Sequence, residues 1–255
     1  MKRNFRILAL APIIGLAAGC TDLTEHPVTG VDASYFQSVA GANAATTGTY
    51  AFLRNIYGGE TEVIMTMVGT DSWEKGDQLP ANGNAFWNDY SAQLAATIPA
   101  GNGGTNGLQE RWSSNYQGIN AANTAIAAIG SATGLDATTK NTRLAEARFL
   151  RALFYFDLVR TYGALQLNLE PTQGVVTTAT RTSPDSIYGV AIVPDLQFAI
   201  NNLPVKQTEF YRATKGAAQT LLADVYLTRA KQGDFDRAIA ALAAVAQDNC
   251  RAVKL

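Results

Sequence analysis

The stretch Arg143-Leu-Ala-Glu-Ala-Arg-Phe-Leu-Arg-Ala-Leu-Phe-Tyr-Phe-Asp-Leu-Val-Arg-Thr-Tyr-Gly163 decides the architecture of this chain. Leu144, Ala147, Leu150, Leu153, Phe154 and Leu158 fall near helical spacing and make a broad apolar stripe, as expected of one long helix that buries a side. Glu146, set between Arg143 and Arg148, falls on the polar side in this reading. Gly163 is placed to take the left-handed conformation that ends a helix. Composition agrees with a helical core. The chain has 255 residues, 47% apolar and only 16% charged, so it can bury a sizeable interior. Its abundant alanines suit closely packed helices and argue against disorder.

Working outward, the spacing predicts a first helix from about Gly41 to Tyr57, with Ala42, Ala45, Thr49, Phe52 and Ile56 inward and Gly58-Gly59 stopping it. A second carries Leu108, Trp112, Tyr116, Ile119, Asn123, Ile126 and Ile129 on one face, with Trp112 in the core and Gly130 closing it. Beyond the central helix, Ser183-Pro184-Asp185 supplies an N-cap and a proline at the first helical position. That helix bears Ile187, Ala191, Leu196, Ile200 and Leu203 and ends before Pro204. Pro194 lies inside it and predicts a kink or break near Val193. Thr214 can cap a further helix through Ala230, and Gly233-Asp234 turns the chain into a last helix reaching about Gln247. The segment Gln232-Gly-Asp-Phe-Asp-Arg-Ala-Ile239 resembles the turn and second helix of a tetratricopeptide repeat. A lone hairpin of this kind cannot bury its apolar face, so it needs the other helices as stacking neighbours.

The N-terminus reads as a targeting segment. Lys2, Arg3 and Arg6 precede an apolar run from Ile7 to Ala18 that is too short to span a bilayer. Leu16-Ala17-Ala18-Gly19-Cys20 resembles a bacterial lipobox, with the usual leucine one step further out than the norm. Residues 1–19 are therefore expected to be a signal peptide and Cys20 a lipid attachment site. Losing the three basic residues takes Lys+Arg from 20 to 17 against 21 acids, a net charge near −4. An acidic balance without a basic stripe argues against a nucleic-acid partner. Residues 20–32 read as an acidic tether with Pro27 and Gly30 as breakers. With Cys20 lipidated, Cys250 is the only other cysteine, so no internal disulfide is expected.

The opening Glu146-Ala-Arg-Phe-Leu-Arg-Ala152 and the ending Leu158-Val-Arg-Thr-Tyr-Gly163 resemble the signature helix of the SusD/RagB family, outer-membrane nutrient-binding lipoproteins of the Bacteroidetes and related phyla. Tyr50-Ala-Phe-Leu-Arg54 is similar to that family's first helix. The resemblance runs from the lipobox to Leu255 and implies a mainly α fold: a helical scaffold with tetratricopeptide-like pairs and long irregular loops. Members are typically far longer, which makes residues 33–255 an incomplete N-terminal helical domain in this reading. The resemblance implies an outer-membrane protein facing the cell exterior that hands a glycan or peptide ligand to a SusC-like TonB-dependent transporter.

Little else in the chain carries chemistry. His26, the one histidine, lies in the tether, so neither a metal cluster nor a Ser-His-Asp set is expected. Gly101-Asn-Gly-Gly104 lacks the strand before it and the Lys-Ser/Thr after it that a phosphate loop needs. No cofactor and no catalytic residue is assigned. The candidate ligand surface is the long segment between the first two helices, where Asp71, Trp73, Lys75, Asp77, Phe86, Trp87 and Tyr90 mix aromatic rings with short polar groups. Aromatic faces stack on the C–H faces of sugar rings while the polar groups pair with hydroxyls; the resemblance also places a ligand-side aspartate at Asp71. Alternatively, Trp73 and Trp87 anchor the segment to the helices beneath, which favours a helical-repeat interaction module. A lipid-anchored hydrolase using a pair among Asp71, Glu74, Asp77 and Asp89 is the remote third reading.

Overall fold

The central helix forms as its periodicity predicts. It runs Ala137–Tyr162 (here α4), six residues longer at its start because Asp136 caps it, its carboxylate accepting from the Thr139 N–H at 2.9 Å. Gly163 ends it at φ +72°, donating its N–H to the Val159 carbonyl at 3.0 Å. The computed structural model describes residues 33–58, 66–67, 70–73, 107–175 and 177–253. In chain order these form a 3-10 turn at Ala33–Gln37, then α1 Val39–Ala51, α2 Leu53–Tyr57, α3 Gly107–Ser131 and α4. They continue with α5 Pro184–Ile187, a π-helical turn at Tyr188–Ile192, α6 Val193–Asn202, α7 Lys215–Arg229 and α8 Asp234–Val253. Among the described residues the only β-type pairing is an isolated bridge between Leu165 and Thr182. The fold is mainly helical, as expected.

The first helix departs from the sequence reading. It starts two residues early, where the Ser38 hydroxyl accepts from the Gly41 N–H at 3.0 Å. It then breaks at Phe52 instead of running on to Tyr57. Thr46 and Thr49 each turn a hydroxyl back onto the carbonyl four residues earlier at 2.9 Å, a habit that bends helices. The Phe52 N–H bonds to the Thr49 carbonyl, tightening the turn at the break. Gly41 is required at its position, because a Cβ there would lie 2.0 Å from the Tyr35 carbonyl oxygen.

Ser183 and Pro184 start α5 as expected. The disturbance at Pro194 takes the form of the π turn just before it. The Val193 N–H reaches back five residues to Tyr188, and the widened turn accommodates a ring that would collide with a regular helical carbonyl. Thr214 caps α7, whose chain leaves through Ala230 in the left-handed region at φ +50°. α8 extends past the expected Gln247 to Val253. Helices α7 and α8 pack antiparallel, since Lys215 and Gln219 near the start of one reach Asp248 late in the other at 2.9 and 3.2 Å.

The core gathers around α4. Leu150, Phe154 and Leu158 are fully buried with Ile119 of α3, Ile187, Ile192 and Leu196 of the α5–α6 segment, and Leu222 and Val225 of α7. Trp112 is half-buried at the margin, its ring edge-on to Tyr162 with centroids 5.0 Å apart. Gly118 lets α3 approach α4 closely, because a Cβ there would meet the Phe154 ring at 2.7 Å.

Candidate functional site

Of the residues expected to form the ligand surface, Asp71 and Trp73 are described, and both are exposed. The short stretch before them is tied by the Thr70 hydroxyl donating to the Met67 carbonyl at 2.8 Å. Ser72 donates to the Asp71 carboxylate at 3.3 Å. Trp73 leaves 52% of its surface accessible. Lys75, Asp77, Phe86, Trp87 and Tyr90 lie outside the described residues, as do Cys20, His26 and the side chain of Cys250.

The helical scaffold holds polar groups that sequence reasoning misplaced. Glu146 does not face solvent; it is fully buried. Its carboxylate accepts from Arg143 at 2.6 Å, from Arg212 at 2.9 Å and from the Tyr50 hydroxyl at 2.8 Å. Arg212 also donates to Thr47 at 3.2 Å and pairs with Glu209. One carboxylate thus joins α1, α4 and the segment between α6 and α7. Burial works against the Arg212 charge, but its bonds to Glu146 and Glu209 prevail and hold its pKa above the ordinary guanidinium range. The Tyr50 phenol is pushed up by burial and by the neighbouring Glu146 charge.

A second buried arginine, Arg151, grips Asp195 of α6 through two nitrogens at 2.7 and 3.0 Å. Its remaining nitrogen donates to Asn123 of α3 and to the Leu169 carbonyl at 2.9 and 3.1 Å. Asn123, read from spacing as part of an apolar stripe, is buried and donates to the Asn168 and Glu170 carbonyls. Tyr155 donates to the Asn168 carbonyl at 2.7 Å and accepts from the Asn168 N–H at 2.8 Å, and burial raises its phenol to about 12. These bonds satisfy the backbone of an irregular segment with no sheet or helix to do so. A third cluster closes the α7–α8 turn. Asp234 accepts twice from Arg229 at 2.8 and 2.7 Å, once from Arg237 at 3.0 Å and once from the Lys231 N–H at 3.0 Å. The Arg229 bonds lead in lowering its carboxyl to about 2.

Each of these three buried carboxylates is engaged by arginine, so none stands free to move a proton. Among the described residues the arrangement is a helical support tied together by buried ion pairs, with Trp73 exposed beside it in the chain.

The order of these helices and their repeat-like last pair define a helical-scaffold class, and the comparisons agree with it. The chain belongs to the SusD/RagB family: a family profile described as starch-binding and associating with the outer membrane, SusD-like, matches residues 60–227. It is 31% identical over 244 residues to SusD-like protein P2 of Formosa agariphila, covering 92% of this chain and 45% of that protein. A solved laminarin-binding SusD-like protein is 27% identical with a TM-score of 0.67, over 82% of this chain and 43% of the other. A SusD superfamily protein from Parabacteroides distasonis is 25% identical with a TM-score of 0.61, over 84% and 44%. The chain therefore spans less than half the length of these relatives.

Proposed function

We propose that this chain is the helical part of a surface lipoprotein that binds a glycan without cleaving it and delivers it to a SusC-like TonB-dependent transporter. The observation that carries the reading is membership of a family described as starch-binding and outer-membrane-associated, over residues 60–227. The likeness to a laminarin-binding relative supports a polysaccharide as the ligand class. In this reading lipid on Cys20 holds the chain at the membrane and the helices form the support. Trp73 and Asp71, with Lys75, Asp77, Phe86, Trp87 and Tyr90, supply stacking faces and hydroxyl partners. A peptide ligand is the alternative within the same role.

A second reading, an interaction module of helical repeats, is favoured by α8. Phe235, Ile239 and Leu242 are exposed along one of its faces, an apolar stripe of the kind that stacks on a further helix. The test of the anchored, glycan-binding role combines three measurements on protein from a producing cell. The parent should incorporate a palmitate analogue, partition with outer membranes and be retained on immobilised laminarin, and Cys20→Ala should abolish labelling while keeping retention. Continued labelling of Cys20→Ala refutes the anchor. Failure of the parent to be retained on laminarin or on any other polysaccharide in a panel refutes the glycan role.

A further inference from the structure

Helix α8 is apolar on two sides and buried on one. Ala238 and Ala241 pack into the core on the α7 side, and Val245 lies against the start of α7, where a Cβ on Gly216 would meet it at 3.9 Å. Beside that row Phe235, Ile239 and Leu242 remain 61%, 66% and 45% exposed, and the exposed Ala246 continues the line. From Ala238 to Ala246 every residue is apolar. A helix apolar around its circumference is built to be covered, and α7 covers only one side of this one.

The exposed row has the spacing of a helix-pairing seam. Phe235, Ile239, Leu242 and Ala246 follow at steps of four, three and four, the repeat that keeps two supercoiled helices in contact. The seam is also free of charge, since no charged residue stands between Arg237 and Asp248. The carboxylates at its two ends are satisfied within the chain. Arg229 and Arg237 hold Asp234 at 2.7 and 3.0 Å, and Lys215 holds Asp248 at 2.9 Å. A partner chosen by complementary charge finds nothing to grip there.

We infer that α8 is a self-association surface through which two copies of this chain pair antiparallel. Reversed on itself about a two-fold axis between Ala240 and Ala241, the seam is self-complementary. Ile239 of one copy meets Leu242 of the other, and the large Phe235 meets the small Ala246, so the layers fill evenly. A parallel pair would instead set Phe235 on Phe235 and Ala246 on Ala246, one layer too wide and one too narrow. The antiparallel axis also holds the two exposed Asp236 side chains about nine residues of helix apart, ~13 Å, where salt screens their repulsion. The seam is ~17 Å long and buries on the order of 1,000 Å² in all, the low end for a specific interface. The dimer is therefore weak, with a dissociation constant on the order of 10–100 µM.

The test is sedimentation equilibrium of the full chain carrying Cys20→Ala, so that no lipid drives association, with a reductant that keeps Cys250 from linking copies. The parent should pass from monomer towards dimer between about 5 and 200 µM. Ile239→Asp and Leu242→Lys should each keep the parent's helical circular dichroism and melting temperature, because both side chains are exposed, and should weaken dimerisation roughly tenfold or more. An equimolar mixture of the two variants should recover dimer. The two substituted positions then face each other with opposite charges, and the second Ile239–Leu242 layer stays intact. A parent that remains monomeric at about 200 µM overturns the inference and leaves the stripe to a different polypeptide. Dimerisation untouched by Ile239→Asp overturns it as well. Folded variants that lose association and do not recover it on mixing overturn the antiparallel seam.

Discussion

Glu146 and Arg212 stand 66 positions apart in the chain, yet a carboxylate oxygen of one lies 2.9 Å from a guanidinium nitrogen of the other, with both side chains out of water. Arg143 and Tyr50 share the same carboxylate, so Glu146 is the common acceptor for three elements. Removing it strands buried donors. Glu146→Leu should destabilise the fold by about 3–5 kcal/mol, the usual loss when one partner of a buried pair is deleted. Urea denaturation measures it. The double variant Glu146→Leu/Arg212→Met should recover part of that loss, because the second change removes the stranded charge.

The contact between α3 and α4 predicts a size-exchange effect. Gly118→Ala pushes a methyl into the fully buried Phe154 ring, which has nowhere to turn, and should cost about 1–3 kcal/mol. Phe154→Ala should cost about 3–5 kcal/mol. Gly118→Ala in a Phe154→Leu background should cost less than it does alone, and a thermal melt of the four proteins shows it.

Much of the scaffold was legible in the sequence, and the reasons differ by element. The α4 stripe, the Ser183-Pro184 start, the Thr214 cap and the Gly163 stop are local signals, written within a few residues of the feature they specify. Glu146 was misread for an equally physical reason. A carboxylate flanked by arginines on a helix has the pattern of a solvated face, and its decisive partners Tyr50 and Arg212 are distant in the chain. Asn123 was placed on the correct face, but its service to the Asn168 and Glu170 carbonyls depends on a loop that has no periodicity. The candidate site was legible only as a composition of aromatics and short polar groups. Of its residues the structure describes Asp71 and Trp73, so their exposure is what it adds.

The α7–α8 turn predicts an acid dependence. The Asp234 carboxyl ordinarily titrates at 3.8 and is lowered to about 2 in the fold, chiefly by Arg229. A group depressed on folding stabilises the native state above its unfolded value, and that contribution disappears as pH falls through the folded value. The melting temperature should therefore drop between about pH 4 and pH 2, and Asp234→Asn should melt lower at neutral pH with a shallower drop across that window. An equal slope in both proteins would place the acid sensitivity elsewhere.

The glycan-binding role proposed for the Asp71–Tyr90 segment rests on its aromatic and short polar residues. Affinity electrophoresis tests it most directly. The chain and the longer laminarin-binding relative are run through native gels with and without laminarin, this chain as parent and with Trp73 and Trp87 changed to alanine, and the relative as parent and with the aromatic residues of its corresponding segment changed to alanine. The account predicts that laminarin retards the parents, weakly for this chain and strongly for the longer relative. It further predicts that the alanine variants lose retardation while keeping their helical circular dichroism. Folded variants retarded as much as their parents would contradict it and make the segment structural.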